Sequence, residues 1–261
     1  MSFVLTRADR SADDVSEDLI LGGRLRLRQP RRGHRVGHDA VLLAAACPAR
    51  AGEAVADLGA GVGAAGLAVA ARIPDASVTL IEIDPRLAAL ADENARLNGL
   101  AGRVRALTLD AAGPARAFAT AGIAPESLAR VLMNPPFNDP ARQRASPDKT
   151  LAHVAPRTTL SAWTRTAARL LRPRGTLSLI WRADGLGDVL AALAPAFGAV
   201  MVLPVHGKAG EAAIRILVRA AKGSRAPLTL LPALVLNDAD GRMTPEAETV
   251  LRGGTLPLAN I

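Results

Sequence analysis

Two short segments of this chain bring together residue types that do chemistry. One is VADLGAGVGAAG at 55–66, where Gly59, Gly61 and Gly63 follow Asp57 and a run of small apolar residues. Glycines spaced this closely accept positive φ and let a ligand come up against the backbone. The other is Asn134-Pro135-Pro136-Phe137, which closes the apolar run RVLM. Consecutive prolines fix the chain and remove two N–H donors, so the carbonyls here are rigid acceptors. The amide oxygen of Asn134 adds another acceptor, and Phe137 adds an aromatic face. A flat NH2 group suits this set. Its N–H bonds reach the Asn134 oxygen and the Pro135 carbonyl while its ring stacks on Phe137, leaving the nitrogen lone pair aimed at an electrophile. Displacement then depends on positioning and electrostatics more than on a strong base.

The ligand of the glycine loop is narrowed by carboxylates. Gly61, Gly63 and Gly66 satisfy G-x-G-x-x-G, the dinucleotide fingerprint, and Glu82 and Asp84 lie about twenty residues on. Asp57 argues for a different ligand, because a carboxylate beside the loop repels a pyrophosphate and suits a cation. S-adenosylmethionine carries an ammonium and a sulfonium and no phosphate. On this reading Asp57, Gly59, Ala60 and Gly61 cradle it, Glu82 accepts from two ribose hydroxyls, and Asp110 accepts from the adenine amino group. Ile83 and Ala111, their chain neighbours, join the candidate cofactor contacts.

The rest of the sequence supplies a frame for these loops. Apolar runs at 54–58, 78–83, 104–109, 130–133 and 176–181 read as buried strands, with helical patterns at about 63–71, 85–98 and 160–171. Pro85 at a helix start and Gly99 just past its end follow the usual terminal asymmetry. Strands alternating with helices predict βαβ units, hence an α/β fold with a doubly wound, mostly parallel sheet. Segments 199–205 and 212–220 flank a polar loop and predict an antiparallel hairpin at the sheet edge. Past them, 228–236 reads as extended, 238–241 as a turn and 245–251 as a short helix. The expected division is an N-terminal extension at 1–50, with an apolar helix near 40–46, a catalytic domain at 51–222 and an appendage at 223–261.

Composition removes several classes. With 49% hydrophobic and 21% charged residues, 23 Gly and 18 Pro, disordered, collagen-like and coiled-coil chains are excluded. Lys and Arg total 32 against 24 Asp and Glu, a formal charge of +8 that suits a polyanionic partner. A single cysteine, Cys47, excludes an internal disulfide framework and a cysteine-based zinc site, and in VLLAAAC it reads as a small buried hydrophobe. His34, His38, His153 and His206 show no metal-ligand spacing, so no metal is expected. The acidic N-terminus is no signal peptide. The most membrane-like stretch, 186–205, contains Asp188, Pro195, Gly198 and Pro204 and reads as a helix followed by a strand. A cytoplasmic protein is expected.

DLGAG, the acidic end of the second strand and NPPF together resemble class I S-adenosylmethionine-dependent amino-methyltransferases, which methylate adenine N6 or the side-chain nitrogen of glutamine. The resemblance covers about 55–220 and implies a Rossmann-like fold, with Asn134, Pro135, Pro136 and Phe137 as catalytic residues. Phe137 stands where tyrosine is commoner. LGGRLRLRQPRRGHRVGHDAVLLAAA at 21–46 resembles the segment that precedes the glycine loop in bacterial tRNA1(Val) (adenine-N6)-methyltransferases, with Gln29, Gly33, Arg35, Gly37, Asp39 and Leu42 matching. In that family the segment folds over the cofactor, which makes Arg35, His38 and Asp39 cofactor-lining candidates. The tail at 230–251 is similar too.

Arg24, Arg26 and Arg28 alternate, so on a strand they share one face, and Arg31 and Arg32 follow. With Lys208 they form a candidate RNA-binding surface, tRNA being the expected partner. Two alternatives stand beside adenine methylation: a glutamine-N5 methyltransferase acting on a release factor, and a nicotinamide oxidoreductase using the fingerprint at Gly61.

Overall fold

The computed structural model describes residues 15–32, 35–136 and 149–259, without the side chains of 149–157 and 259. Gly33, His34 and Phe137 lie outside the described residues. The chain opens with β1 (Val15–Ile20) and β2 (Leu25–Pro30), an antiparallel hairpin, followed by α1 (His38–Ala46). An alternating run comes next: β3 (Ala54–Leu58), α2 (Ala64–Arg72), β4 (Ser77–Glu82), α3 (Pro85–Leu97), β5 (Val104–Thr108) and α4 (Ala115–Thr120). It continues through β6 (Leu128–Met133), α5 (Lys149–Leu170), β7 (Leu171–Arg182) and α6 (Leu186–Leu193). The long hairpin β8 (Phe197–Lys208) and β9 (Ala213–Lys222) follows, then β10 (Thr229–Leu230), β11 (Leu234–Asn237) and α7 (Pro245–Leu251).

Local chemistry explains the boundaries. The Asp84 carboxylate accepts from the Arg86 N–H, and Pro85 occupies the first turn of α3. The Thr244 hydroxyl does the same for Ala247 at the start of α7. β3 is apolar on both faces, with Val55, Ala56 and Leu58 fully buried, as expected for a strand covered by helices on either side.

These strands assemble in the order β10-β8-β9-β7-β6-β3-β4-β5, with β11 also on β8. β3 to β7 are mutually parallel, while β9 runs antiparallel to both β7 and β8. The α/β fold with a mostly parallel sheet is therefore present, with its antiparallel hairpin. The outer side of β8 is not bare: the short parallel strands β10 and β11 pair along it. One apolar cluster joins the β1–β2 hairpin, α1, α2 and part of α3 to residues of the C-terminal segment such as Leu234, Val250 and Leu258. A second, on the other face, packs α4, α5 and α6 around Phe118, Trp163 and Trp181.

Two elements differ in extent from the sequence pattern. α5 begins at Lys149 instead of Leu160, because the apolar periodicity that marks it starts only there. β7 begins directly at Leu171 and carries Pro173 and Gly175 through an irregular register at Leu128/Arg130. No helix among the described residues is long and apolar enough to cross a membrane; 186–205 forms α6 and most of β8.

Candidate functional site

The strand order reverses between β3 and β6, and a crevice at the carboxyl ends of the strands is where open α/β sheets bind ligands. Register makes this specific. Leu58 pairs with Met133, so Gly59 and Asn134 leave the sheet side by side at one level. The Gly59 and Ala60 N–H groups donate to the Ile81 carbonyl at 2.8 and 2.9 Å, tying the glycine loop to β4. Gly59, Gly61 and Gly63 have φ of 70, 57 and 90°, the left-handed region that side chains disfavour. At Gly59 space matters as well, since a Cβ would stand 2.2 Å from Trp163 Cη2. At Gly61 a Cβ would meet nothing within 4 Å, so the loop tip faces open space.

The carboxylates divide into two kinds. Asp57 is 2% exposed and lies under the loop, its Oδ2 accepting from the Gly66 N–H at 2.8 Å. Burial pushes its carboxyl up to about 7, opposed by the Gly66 N–H and reinforced by nearby Glu82. Glu82, at the end of β4, is also buried, 8% exposed, but engages the loop itself. Its Oε2 accepts from the Gly61 N–H at 2.8 Å and its Oε1 from the Asp84 N–H at 2.9 Å. Each oxygen keeps a lone pair for a further donor. Ile83, next to it, is 63% exposed, an apolar side chain standing in solvent on the rim. Asp110 is exposed and accepts from the Ala112 N–H, whereas Ala111 is buried in the second cluster.

Asn134 completes the rim. It is half-buried, and its Oδ1 is shielded from solvent without a hydrogen-bond partner among the described residues. A buried acceptor left unpaired costs about 1–3 kcal/mol, a penalty that an incoming N–H removes. Pro135 is buried and Pro136 exposed. A glycine tip facing open space, a pinned carboxylate, an exposed Ile83 and an orphaned amide oxygen together fit an adenosine-bearing cofactor beside an amine.

The N-terminal segment reaches this rim only at its end. β2 runs along α3 from its last turn to its middle: Asn98 bonds to the backbone of Arg26, and Asn94 to that of Arg28. Arg24 lies by Gly253, at the far end of the sheet from the glycine loop. Arg26 and Arg28 pair with Glu17, and Arg28 with Glu93 too, so the charge on this face is locally compensated. Arg31 and Arg32 are exposed just beyond β2. Arg35 is held by Asp18 at 2.7 Å, Ser16 and the Pro30 carbonyl, which docks it onto the hairpin. Hydrogen bonding from Gln29 does most to hold the Asp18 carboxyl low. His38 is exposed at the start of α1, and Asp39 pairs with Arg215 at 3.0 Å. Lys208, at the end of β8, lies three strands from β6, about 14 Å at the usual spacing.

Arg215 anchors the first turn of α1 through Asp39. Two contributors were not singled out from the sequence. Trp163 packs on Gly59. Asn94, fully buried, also donates to the Val62 carbonyl and so joins β2 to the glycine loop. Only Asn94 left a trace: it falls on the apolar stripe formed by Ala88, Ala91 and Ala95. Cys47 is buried, and desolvation pushes its thiol up to about 11, as suits a packing residue.

Comparison with known proteins bears on this geometry. Residues 34–208 match the methyltransferase small domain family. A tRNA1(Val) (adenine(37)-N6)-methyltransferase of Dickeya chrysanthemi is 27% identical over 224 residues, covering 84% of this chain and 86% of the relative. One of the same name from Aeromonas hydrophila is 30% identical over 72% of this chain and 77% of its own length. Among solved structures, a predicted O-methyltransferase from Agrobacterium tumefaciens superposes with a TM-score of 0.72 at 34% identity, covering 84% of this chain and 98% of that one.

Proposed function

The chain belongs to the methyltransferase small domain family and is an S-adenosylmethionine-dependent methyltransferase, and from that premise we propose that it methylates the exocyclic N6 amine of an adenine in tRNA. The observation that carries a planar amine as acceptor is the shielded Oδ1 of Asn134, without a partner among the described residues and one residue past the strand end that pairs with the glycine-loop strand. Only an N–H or O–H donor satisfies it, and an exocyclic amine offers two N–H bonds. The curated relatives that match most of this chain carry tRNA adenine-N6 methylation in their names, which supports the reading.

The residues then take these roles. The Gly61 tip and Glu82 hold the cofactor's ribose, Ile83 packs on its adenine and Asp110 accepts from the adenine amino group. Asp57 acts from below, by fixing the start of α2 through Gly66. The bound cofactor supplies an electrophilic methyl on its sulfonium. Asn134 Oδ1 and the Pro135 carbonyl accept the two amine N–H bonds, turning the nitrogen lone pair toward that methyl. Pro136 stiffens the bend, and Phe137, outside the described residues, is assigned the stacking face for the flipped base. Catalysis is then mainly alignment, with electrostatic stabilisation of the charge that grows on nitrogen. Arg31, Arg32 and His38 are exposed and are assigned to RNA phosphates; Arg24, Arg26 and Lys208 would contact RNA only farther out.

The test compares the chain with its Asn134→Ala variant, using isotope-labelled cofactor and unmodified tRNA. Turnover is expected to fall about a hundredfold or more while cofactor affinity changes less than about twofold. Label should leave the macromolecular fraction on ribonuclease treatment. Undiminished turnover in the variant, or label carried by a release factor and not by tRNA, overturns the reading.

A further inference from the structure

The first turn of α1 is held by an ion pair and not by packing. Burial in α1 runs from Val41 to Ala46, whereas His38 is exposed and Asp39 half-buried. Asp39 does not cap the helix either: Gly37 is the N-cap, and no side chain caps that end. Its carboxylate reaches instead to Arg215 on β9, 176 residues on, where Oδ2 accepts from Nε at 3.0 Å. The two side chains are 27% and 28% exposed, wet enough that the pair adds little to the stability of the whole molecule.

The pair stands at the crevice. α1 and α2 descend side by side from the carboxyl ends of the strands, and their far ends meet where Arg72 donates to the Cys47 carbonyl at 2.9 Å. Just beyond, Arg130 of β6 donates to the Pro48 carbonyl at 3.1 Å. The nine residues of α1 rise about 13.5 Å, and the four strand steps from Arg130 to Asn134 advance about 13 Å. The start of α1 therefore comes level with Asn134. The side agrees with the level: Leu132, Ile180 and Leu217 belong to the apolar cluster under α1, and alternation from Leu132 sends Asn134 to that same face. Arg215 alternates with Leu217 on it and pairs with Arg182, two residues past the level of Asn134.

The segment before Asp39 has its own tether. The Val36 N–H donates to Gln29 Oε1 at 2.9 Å, which ties it to the β1–β2 hairpin. Residues 36–39 are thus fixed by polar contacts at both ends, to the hairpin on one side and to β9 on the other.

We propose that Arg215 is a positioning residue for methyl transfer, which through Asp39 holds residues 36–39 beside the glycine loop and level with Asn134. Its action is indirect. The guanidinium fixes the carboxylate, the carboxylate fixes the first turn of α1, and that turn bounds the space in which an amine and the sulfonium methyl must line up. Without the pair, apolar contact begins only at Val41, and the residues upstream are left as a fraying helix start. The inference rests on methyl transfer in this crevice, whichever planar amine is the acceptor.

The full-length chain would be compared with Arg215→Met, Arg215→Lys and Asp39→Asn by amide hydrogen exchange, cofactor titration and methyl transfer to tRNA. In Arg215→Met, exchange at 36–40 is expected to speed up roughly tenfold or more, while 41–46 and the unfolding midpoint stay as in the parent. Cofactor affinity should fall roughly threefold or more, and kcat roughly tenfold or more with KM for tRNA nearly unchanged. Asp39→Asn should behave alike, the double variant should be no slower than either single one, and Arg215→Lys should recover part of the loss. Exchange and cofactor titration need no acceptor, so a parent chain that leaves tRNA unlabelled refutes the adenine reading while these two measurements still judge Arg215. Parent-like exchange at 36–40 in Arg215→Met overturns the proposal, as does faster exchange with cofactor affinity and turnover both unchanged. Losses of turnover matched by a lower unfolding midpoint in both Arg215→Met and Asp39→Asn mark a purely structural pair and overturn it too.

Discussion

Asp57 lies under the glycine loop, with one backbone N–H as its hydrogen-bond donor and a carboxyl that titrates near 7 instead of near 3.8. The folded chain therefore keeps a proton that the unfolded chain has already released. Across that interval the folded state binds more protons, so this group's contribution to stability is complete below about pH 4 and is lost as pH rises to about 7. Asp57→Asn keeps an acceptor for Gly66 and removes the buried charge. Urea unfolding at pH 4.5 and pH 8 should show the variant gaining on the parent by on the order of 3 kcal/mol at the higher pH. If the two proteins keep the same stability difference at both values, burial is not what governs this carboxyl.

Between β2 and α3 a strand edge is satisfied by a helix. Asn94 and Asn98 each present an amide to one residue of β2, accepting from its N–H and donating to its carbonyl. The match is geometric. Four residues of helix rise about 6 Å, and two residues of strand advance about 6.6 Å. Asparagines at i and i+4 thus meet Arg28 and Arg26 in step and imitate a neighbouring strand. Asn94 is buried and holds the Val62 carbonyl as well, while Asn98 is nearer solvent. Asn94→Ala should cost about 3 kcal/mol in chemical unfolding and weaken cofactor binding, against about 1 kcal/mol or less for Asn98→Ala. Equal costs would show that the clamp gains nothing from burial or from its hold on the glycine loop.

At the scale of the molecule, the charge of +8 is not spread evenly in effect. The Arg26 and Arg28 face is neutralised by Glu17 and Glu93, whereas Arg31 and Arg32 stand exposed just beyond β2. On the proposed function this exposed pair is assigned to the phosphates of a bound tRNA. Replacing both with Gln should reduce the slope of log affinity against log salt by about 2 and leave cofactor affinity alone. Replacing Arg26 and Arg28 instead should lower stability and hardly alter that slope. A slope unmoved by the first pair would place the RNA elsewhere on the surface.

Much of this was legible in the chain itself. Strand and helix order follow from apolar runs separated by glycine and proline, and the glycine loop and NPP bend announce themselves because backbone restrictions are written in residue type. Local chemistry of that kind needs no partner from elsewhere in the chain. The role of Asp57 did need one: a carboxylate read as a ligand contact proves to be buried beneath the loop, because Gly66 folds back over it. The alternating arginines likewise read as a binding face until Glu93, more than sixty residues away, arrives beside Arg28. Trp163 on Gly59 and the asparagine ladder are also long-range. Periodicity fixes which way a side chain leaves its own element, but burial and charge pairing depend on what packs opposite, and that is decided only when the sheet assembles.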